Sequence, residues 1–300
     1  MKKITIIVPF YNDSKNIKKL LDSINQINEL ADVLLIDDKS DTEERKQLNN
    51  ICLHYSNVRI MTNESIKKGA GVCRNIGLYN TNTEWVMFAD SDDHFLNDLS
   101  RILYPYFNSN YEMVYFEPVS YDEKGIEGTR HLTYVEYHKD IEDLRYKLPV
   151  VWSRLFKNEF LKKNNFLFDT TLVSNDRLFS LKTGVAAKKI AVDHNKIYSW
   201  DYNSHSITTK MPEDKFLINL SVFIRTNKYL KNNVSDVKFK KYSESGLKMI
   251  VSSLVRYRYG VKFTLGVFRI LLKNNVKIIS PRDLKRVRTF FKNNKYYKSN

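Results

Sequence analysis

The strongest constraint on this chain is a pair of unbroken apolar runs that each end in aspartates. Val33-Leu34-Leu35-Ile36 closes on Asp37-Asp38, and Trp85-Val86-Met87-Phe88-Ala89 closes on Asp90-Ser91-Asp92-Asp93. A short apolar run with no polar alternation is the pattern of a strand covered on both faces, as in a parallel sheet. Residues 4–8 supply an earlier strand of the same kind, and residues 58–61 a further one. Helical patterns lie between them. Ser14 reads as an N-cap followed by Ile17, Leu20, Leu21, Ile24 and Ile27, a polar helix covers 42–54, and another runs to Leu78 after the turn Lys67-Lys68-Gly69-Ala70-Gly71. Strand and helix in alternation predict an α/β fold built from right-handed crossovers. Open parallel sheets bind ligands beyond the carboxyl ends of their strands, and the acids at 37, 38, 90, 92 and 93 all fall there.

Beyond residue 93 the periodicity loosens. A strand is expected at 113–117 and a single helix over 148–164, with Val151, Trp152, Leu155, Phe156, Phe160 and Leu161 facing inward. Asp176 opens a helix to residue 187, and 190–192 and 196–200 read as strands. From Met211 the pattern is helical throughout. These readings divide the chain into residues 1–210, in halves 1–93 and 94–210, and a helical unit 211–300. Charge follows the same division. Of a formal net charge of +15, nearly all sits in residues 248–300, where fourteen basic side chains face one acid, Asp283. Cys52 and Cys73 are too few for a disulfide framework and too far apart for a CxxC motif, so reduced thiols and a cytosolic setting are expected. After Met-Lys-Lys the strand-like segment 4–8 is too short for a signal-peptide apolar region, so secretion is not expected.

The aspartates after residue 89 have a chemical reading. Carboxylates gathered beside a diphosphate would repel it unless a hard divalent cation stood between them. Mg²⁺ or Mn²⁺ would take one or two carboxylates with two phosphate oxygens and stabilise the leaving diphosphate. The competing reading is a solvated acidic turn that caps the next helix. No GxGxxG follows the first strand, which argues against a dehydrogenase. Phe10-Tyr11-Asn12-Asp13 stands where a nucleotidyltransferase, the other enzyme class that pairs acids with a metal, would carry a Gly-rich basic loop.

Four blocks, VPFYND at 8–13, LLIDDKSD at 34–41, KKGAGVCRNIGL at 67–78 and FADSDD at 88–93, together resemble the inverting family 2 glycosyltransferases with a GT-A fold, in that family's order. VWSRLFKNEFL, SNDRLF and YSWDYNSHSIT extend the likeness to about residue 210. The resemblance implies a GT-A-like nucleotide-binding mixed sheet flanked by helices, then the helical basic unit. It also implies transfer of a sugar from a nucleotide diphosphate donor, UDP by family expectation, to a glycan or lipid-linked acceptor. Carried onto this chain, it assigns Pro9, Tyr11 and Asp38 to the base and ribose, with Asp37 as a structural alternative, and Arg74 to the base or diphosphate. A surface ion pair is the other reading of Arg74. Asp90 and Asp92 become the DxD acids, Asp92 near ribose or metal, and Asp93 a further metal candidate. His205 falls in a loop near the diphosphate or metal. Asp176 becomes the catalytic base, taking the acceptor's proton in a single displacement. The family usually places Glu before that base, whereas this chain has Asn175, which keeps open a fold that has lost catalysis and serves as an assembly subunit.

The basic tail admits three readings. Apolar and basic residues interleaved over 248–300 suggest helices lying on an anionic membrane surface, at its inner face, near a lipid-linked acceptor. Equally, they could close a helical subdomain with a solvated basic face. Nucleic-acid binding is the third reading, and no motif supports it.

Overall fold

Ile4, Ile6, Ile7 and Val8 are wholly buried because helices cover both faces of the strand they form. That strand, β1 (Ile4–Phe10), pairs in parallel with β2 (Ala31–Asp37) and β4 (Trp85–Phe88), and β2 with β3 (Val58–Thr62). The crossovers are α1 (Ser14–Asn25), α2 (Thr42–Cys52) and α3 (Ala70–Tyr79). Asp13, not Ser14, holds the N-cap position of α1; the Ser14 hydroxyl instead donates to Gln47 at 2.8 Å, tying α1 to α2. The computed structural model describes residues 2–122, 124–201, 211–280 and 283.

The sheet continues past β4 with mixed direction. Its order is β3-β2-β1-β4-β7-β6-β8-β5, where β5 is His94–Phe95, β6 Met113–Val119, β7 Arg154–Lys157 and β8 Ile190–Ser199. Short helices α4 (Leu99–Leu103), α5 (Leu132–Tyr137), α6 (Ile141–Lys147) and α7 (Asn158–Lys163) fill the connections, and α8 (Arg177–Ala186) precedes β8. The single helix expected over 148–164 is instead an extended lead-in, β7 and α7. Ser153 has φ 56°, which ends any helix there. Leu155 and Phe156 are both buried, one in each of the two apolar layers that sandwich the sheet, so the strand shows no alternation. The two strands expected around 190–200 are one, β8, whose ladder shifts register near Glu117.

The chain divides into two compact units, Met1–Ser206 and Ile207–Asn300. The second contains α9 (Glu213–Asn233), α10 (Asp236–Tyr242), α11 (Leu247–Val251) and α12 (Val261–Lys273). Phe216, Leu220, Phe223, Met249, Val267 and Leu271 form its core. Among the described residues, no helix is long and apolar enough to cross a membrane.

Candidate active site

Strand order reverses between β1 and β4, so their carboxyl ends, with that of β2, meet at the topological switch point. Asp37 ends β2 wholly buried. Its carboxylate accepts from the Ser40 N–H and the Arg45 Nε, both at 3.0 Å, which closes the loop after the strand and matches the structural alternative. Asp38 accepts from the Gly69 N–H and from Asn63 Nδ2, each at 2.6 Å. It thereby fastens the turn before α3, where Gly69 takes φ 119°, a conformation that favours glycine. Pro9 is half-buried opposite Ile36, and Tyr11 is exposed with the Lys68 ammonium 5.0 Å from its ring centroid.

The aspartate turn after β4 is held from beneath. Asp93 is buried and accepts from the Tyr198 hydroxyl at 2.7 Å and the Asp201 N–H at 3.1 Å. The same hydroxyl accepts from the Asp90 N–H at 3.0 Å. Burial pushes the Asp93 carboxyl well above the usual range, and the charges of Asp90 and Asp92 push the same way. Ser91 donates to Asp13 at 2.6 Å, joining the turn to the loop after β1. Burial raises Asp13 too, against its hydrogen bonds from Ser91 and Asn16.

Arg74 links this turn to the start of α8. Its guanidinium is buried, donating to Asp90 at 2.6 Å and to Asn175 Oδ1 at 2.8 Å, with the Phe168 ring 5.4 Å away. Arg74 is thus an internal ion pair and not a surface one. Close approach makes the bridge possible: a Cβ on Gly71 would stand 2.0 Å from the Asp169 carbonyl oxygen and 2.8 Å from Asn175 Cβ. Asp176 holds the N-cap position of α8, half-buried. Burial raises its carboxyl, Arg74 and Arg154 work against that, and the charge of Asp90 adds to it.

Asp90, Asp92 and Asp93 are the candidate hard oxygen donors of this turn. Asp93 turns both oxygens to protein donors and Asp90 Oδ1 accepts from Arg74, while Asp90 and Asp92 are both half-buried. Two carboxylates completed by phosphate oxygens fit Mg²⁺ or Mn²⁺. Among the described residues, no group of three or more His, Cys, Asp or Glu could hold a metal by itself. His205 lies outside the described residues. A cleft of about 780 Å³, lined by Lys2, Thr5, Asp32, Asn57, Arg59 and Glu84, sits at the amino-terminal edge of the parallel strands, away from the aspartates.

Several participants escaped the sequence reading. Tyr198 and Asp201 seat the turn across more than a hundred residues; the block YSWDYNSHSIT marks their segment but assigns neither a role. Arg154 left a signal, a lone cation in the apolar run Val151 to Phe156, and it is wholly buried. Trp152 stacks on Tyr198 at 5.4 Å, and Arg130 covers Trp200 at 3.9 Å.

A family model described as glycosyl transferase family 2 matches residues 5–173. The poly(ribitol-phosphate) beta-glucosyltransferase of Bacillus spizizenii is 28% identical over 204 residues, 65% of this chain and 32% of that protein. This chain therefore aligns with about a third of the length of that relative. Staphylococcus aureus TarS 1–349, solved with UDP-GlcNAc, superposes with a TM-score of 0.62 at 19% identity, covering 86% of this chain and 74% of that one. The mannosyltransferase PcManGT of Pyrobaculum calidifontis, solved with GDP-Man and Mn²⁺, gives 0.60 at 13% identity, covering 90% and 75%. The last two likenesses concern the fold, a mixed sheet flanked by helices as expected.

Proposed function

The chain belongs to glycosyl transferase family 2 and is a glycosyltransferase; from that premise we propose that it moves one sugar, with inversion, from a nucleotide diphosphate donor to a hydroxyl of a glycan or lipid-linked acceptor. UDP is the nucleotide first expected. The observation that carries the reading is the Arg74 bridge, because one side chain joins the aspartate turn to the residue before Asp176. In this reading the turn proposed to face the diphosphate and the residue before the proposed base share a single guanidinium.

In the proposed reaction the acceptor oxygen attacks the anomeric carbon while Asp176 takes its proton. The bond from that carbon to the diphosphate breaks, and the leaving oxygen keeps the electron pair. A carboxyl raised by burial suits the base, since proton transfer is most effective when the group titrates nearer the working pH. Asp90 and Asp92 would hold a divalent cation, which when bound supplies positive charge to the departing diphosphate. Pro9 and Tyr11 would flank the nucleotide base, the exposed Tyr11 ring offering an apolar face. Asp38 would act from the same edge, through the Gly69 turn that it fixes.

We assign this chemistry to residues 1–210 and give residues 211–300 a docking role. In the second unit Val251, Leu254, Val255, Val261 and Leu265 are exposed, and from 248 to 279 there are seven basic side chains and no acid. An anionic bilayer matches that surface, at roughly 1 kcal/mol per basic residue near the headgroups. Peripheral attachment to the inner face of a membrane would bring the site to a lipid-linked acceptor.

The test is a panel of sugar nucleotides scored for nucleoside diphosphate release, with Mn²⁺, Mg²⁺ or EDTA, using the wild type and Asp176→Asn. Activity with one donor, its loss in EDTA, and a fall of at least ~100-fold in the variant are expected. Undiminished turnover by Asp176→Asn would move the proton transfer to another group.

A further inference from the structure

Arg154 opens β7 with none of its surface exposed, among the largest wholly buried side chains of the chain. Nη2 donates to the Leu148 carbonyl at 3.0 Å, while Nε and Nη1 meet no protein acceptor, and the Tyr115 ring centroid lies 4.9 Å from the guanidinium carbon. Burial pulls the guanidinium below its usual value, yet arginine starts so far above neutrality that it stays charged. Burying an unpaired ion costs several kcal/mol even after relaxation, and an apolar residue of similar volume is often as good or better for stability. Stability alone therefore gives no reason for a cation here. Its field gives one.

The lead-in to β7 lies directly against the first turns of α8. Ser180 donates its hydroxyl to the Val150 carbonyl at 2.9 Å, and Phe156 meets Phe179 edge-on at 5.8 Å. At the head of that helix stands Asp176. The charges that bear on it come from Arg74 on α3, Asp90 on the aspartate turn and Arg154 on β7, and Tyr134 on α5 faces it as well. Arg74 is committed to Asp90 at 2.6 Å, and Asn175 beside it brings no charge, so the Asp90 carboxylate offsets part of the Arg74 charge at Asp176. Arg154 has no such partner.

We propose that Arg154 is a positioning residue whose buried, unpaired charge favours the ionised form of the Asp176 carboxylate, and so its capacity to accept a proton. The catalytic consequence rests on Asp176 being the general base, but the electrostatic link can be measured without that assumption. Full-length protein labelled with ¹³C at the aspartate carboxyl carbons is titrated by NMR, and the Asp176 resonance is identified by its loss in Asp176→Asn. An opposite charge nearby lowers a carboxyl by about 1–3 pH units. In Arg154→Met the Asp176 midpoint is expected to rise by at least about one pH unit. In Arg154→Lys, which keeps the charge, it should stay near the wild-type value. The acid limb of the pH–rate profile for diphosphate release should move with it, and the thermal midpoint of Arg154→Met should be unchanged or higher. An unmoved Asp176 midpoint in Arg154→Met, or an equal rise in the Lys variant, overturns the proposal. If Arg154→Met does not fold, Arg154→Gln carries the same comparison. Activity surviving in Asp176→Asn with the NMR link intact would refute the base assignment alone.

Discussion

Replacing Arg74 by Met tests the bridge on which the functional reading stands. The substitution removes an ion pair to Asp90, a charged hydrogen bond to Asn175 and a contact with Phe168. The hydrogen bond is worth about 1.5–3 kcal/mol because its donor is ionised. The pair is worth less than a fully buried one, since Asp90 keeps 38% of its side-chain surface in solvent; about 1 kcal/mol is a fair share. The aromatic contact adds roughly 0.5–1 kcal/mol. Neighbouring losses overlap, so the expected destabilisation is about 3–4 kcal/mol, or roughly 6–16 °C in a unit of this size. Urea unfolding followed by far-UV and near-UV circular dichroism measures it, with an unchanged slope expected. Arg74→Lys keeps the charge but cannot reach both partners, and should lose about half as much. Activity should fall at least ~10-fold in the Lys variant while it remains folded, because the two sides of the site lose their common tie. A loss below about 1 kcal/mol in Arg74→Met would mean that the bridge contributes little and that the turn and α8 are aligned by other contacts.

Tyr198→Phe deletes the hydroxyl shared by the Asp90 N–H and Asp93, and should cost about 2–4 kcal/mol in urea unfolding by leaving two buried groups short of a partner. Asp201 supplies a pH test: burial works to raise its carboxyl, but His94, Lys19 and Ser199 outweigh it and hold it well below the usual range. Its ionised form therefore favours folding above the unfolded value near ~4, and that contribution is lost as the pH falls through the folded value. The stability gap between wild type and Asp201→Asn should accordingly be widest near neutrality and close in acid; a gap that widens below ~pH 4 would reverse the sign. For the helical unit, reversing Arg256, Arg258 and Lys262 to Glu should weaken sedimentation with phosphatidylglycerol vesicles at least ~100-fold, at about 1 kcal/mol per site. Equal, negligible binding of the wild type to anionic and neutral vesicles would remove the docking role.

The parallel half of the sheet was legible because its strands are covered on both faces, so residues 4–8, 33–36 and 85–89 carry unbroken apolar runs. The same property misled at β7. Leu155 and Phe156 face different layers, and with Phe160 and Leu161 following in α7 the run mimics one helical stripe. Acids at strand ends marked the crevice but not their own division of labour. Whether an aspartate faces outward or anchors a turn depends on partners such as Tyr198 and Gly69, whose own blocks do not say which aspartate they meet. Arg74 was legible as a candidate site residue within its block, whereas its burial follows from Gly71, whose missing side chain lets the 169–175 segment close over it.

The hydroxyl of Tyr198 reaches back 108 residues to the Asp90 amide, and Arg74 reaches forward 101 residues to Asn175. Closing loops of that span is entropically slow, and contacts of such separation form late in folding. During synthesis, therefore, a nascent chain carries its aspartate turn unseated until β8 has left the ribosome. A chain truncated before β8 should form its first strands yet lack the hydroxyl that seats the aspartate turn.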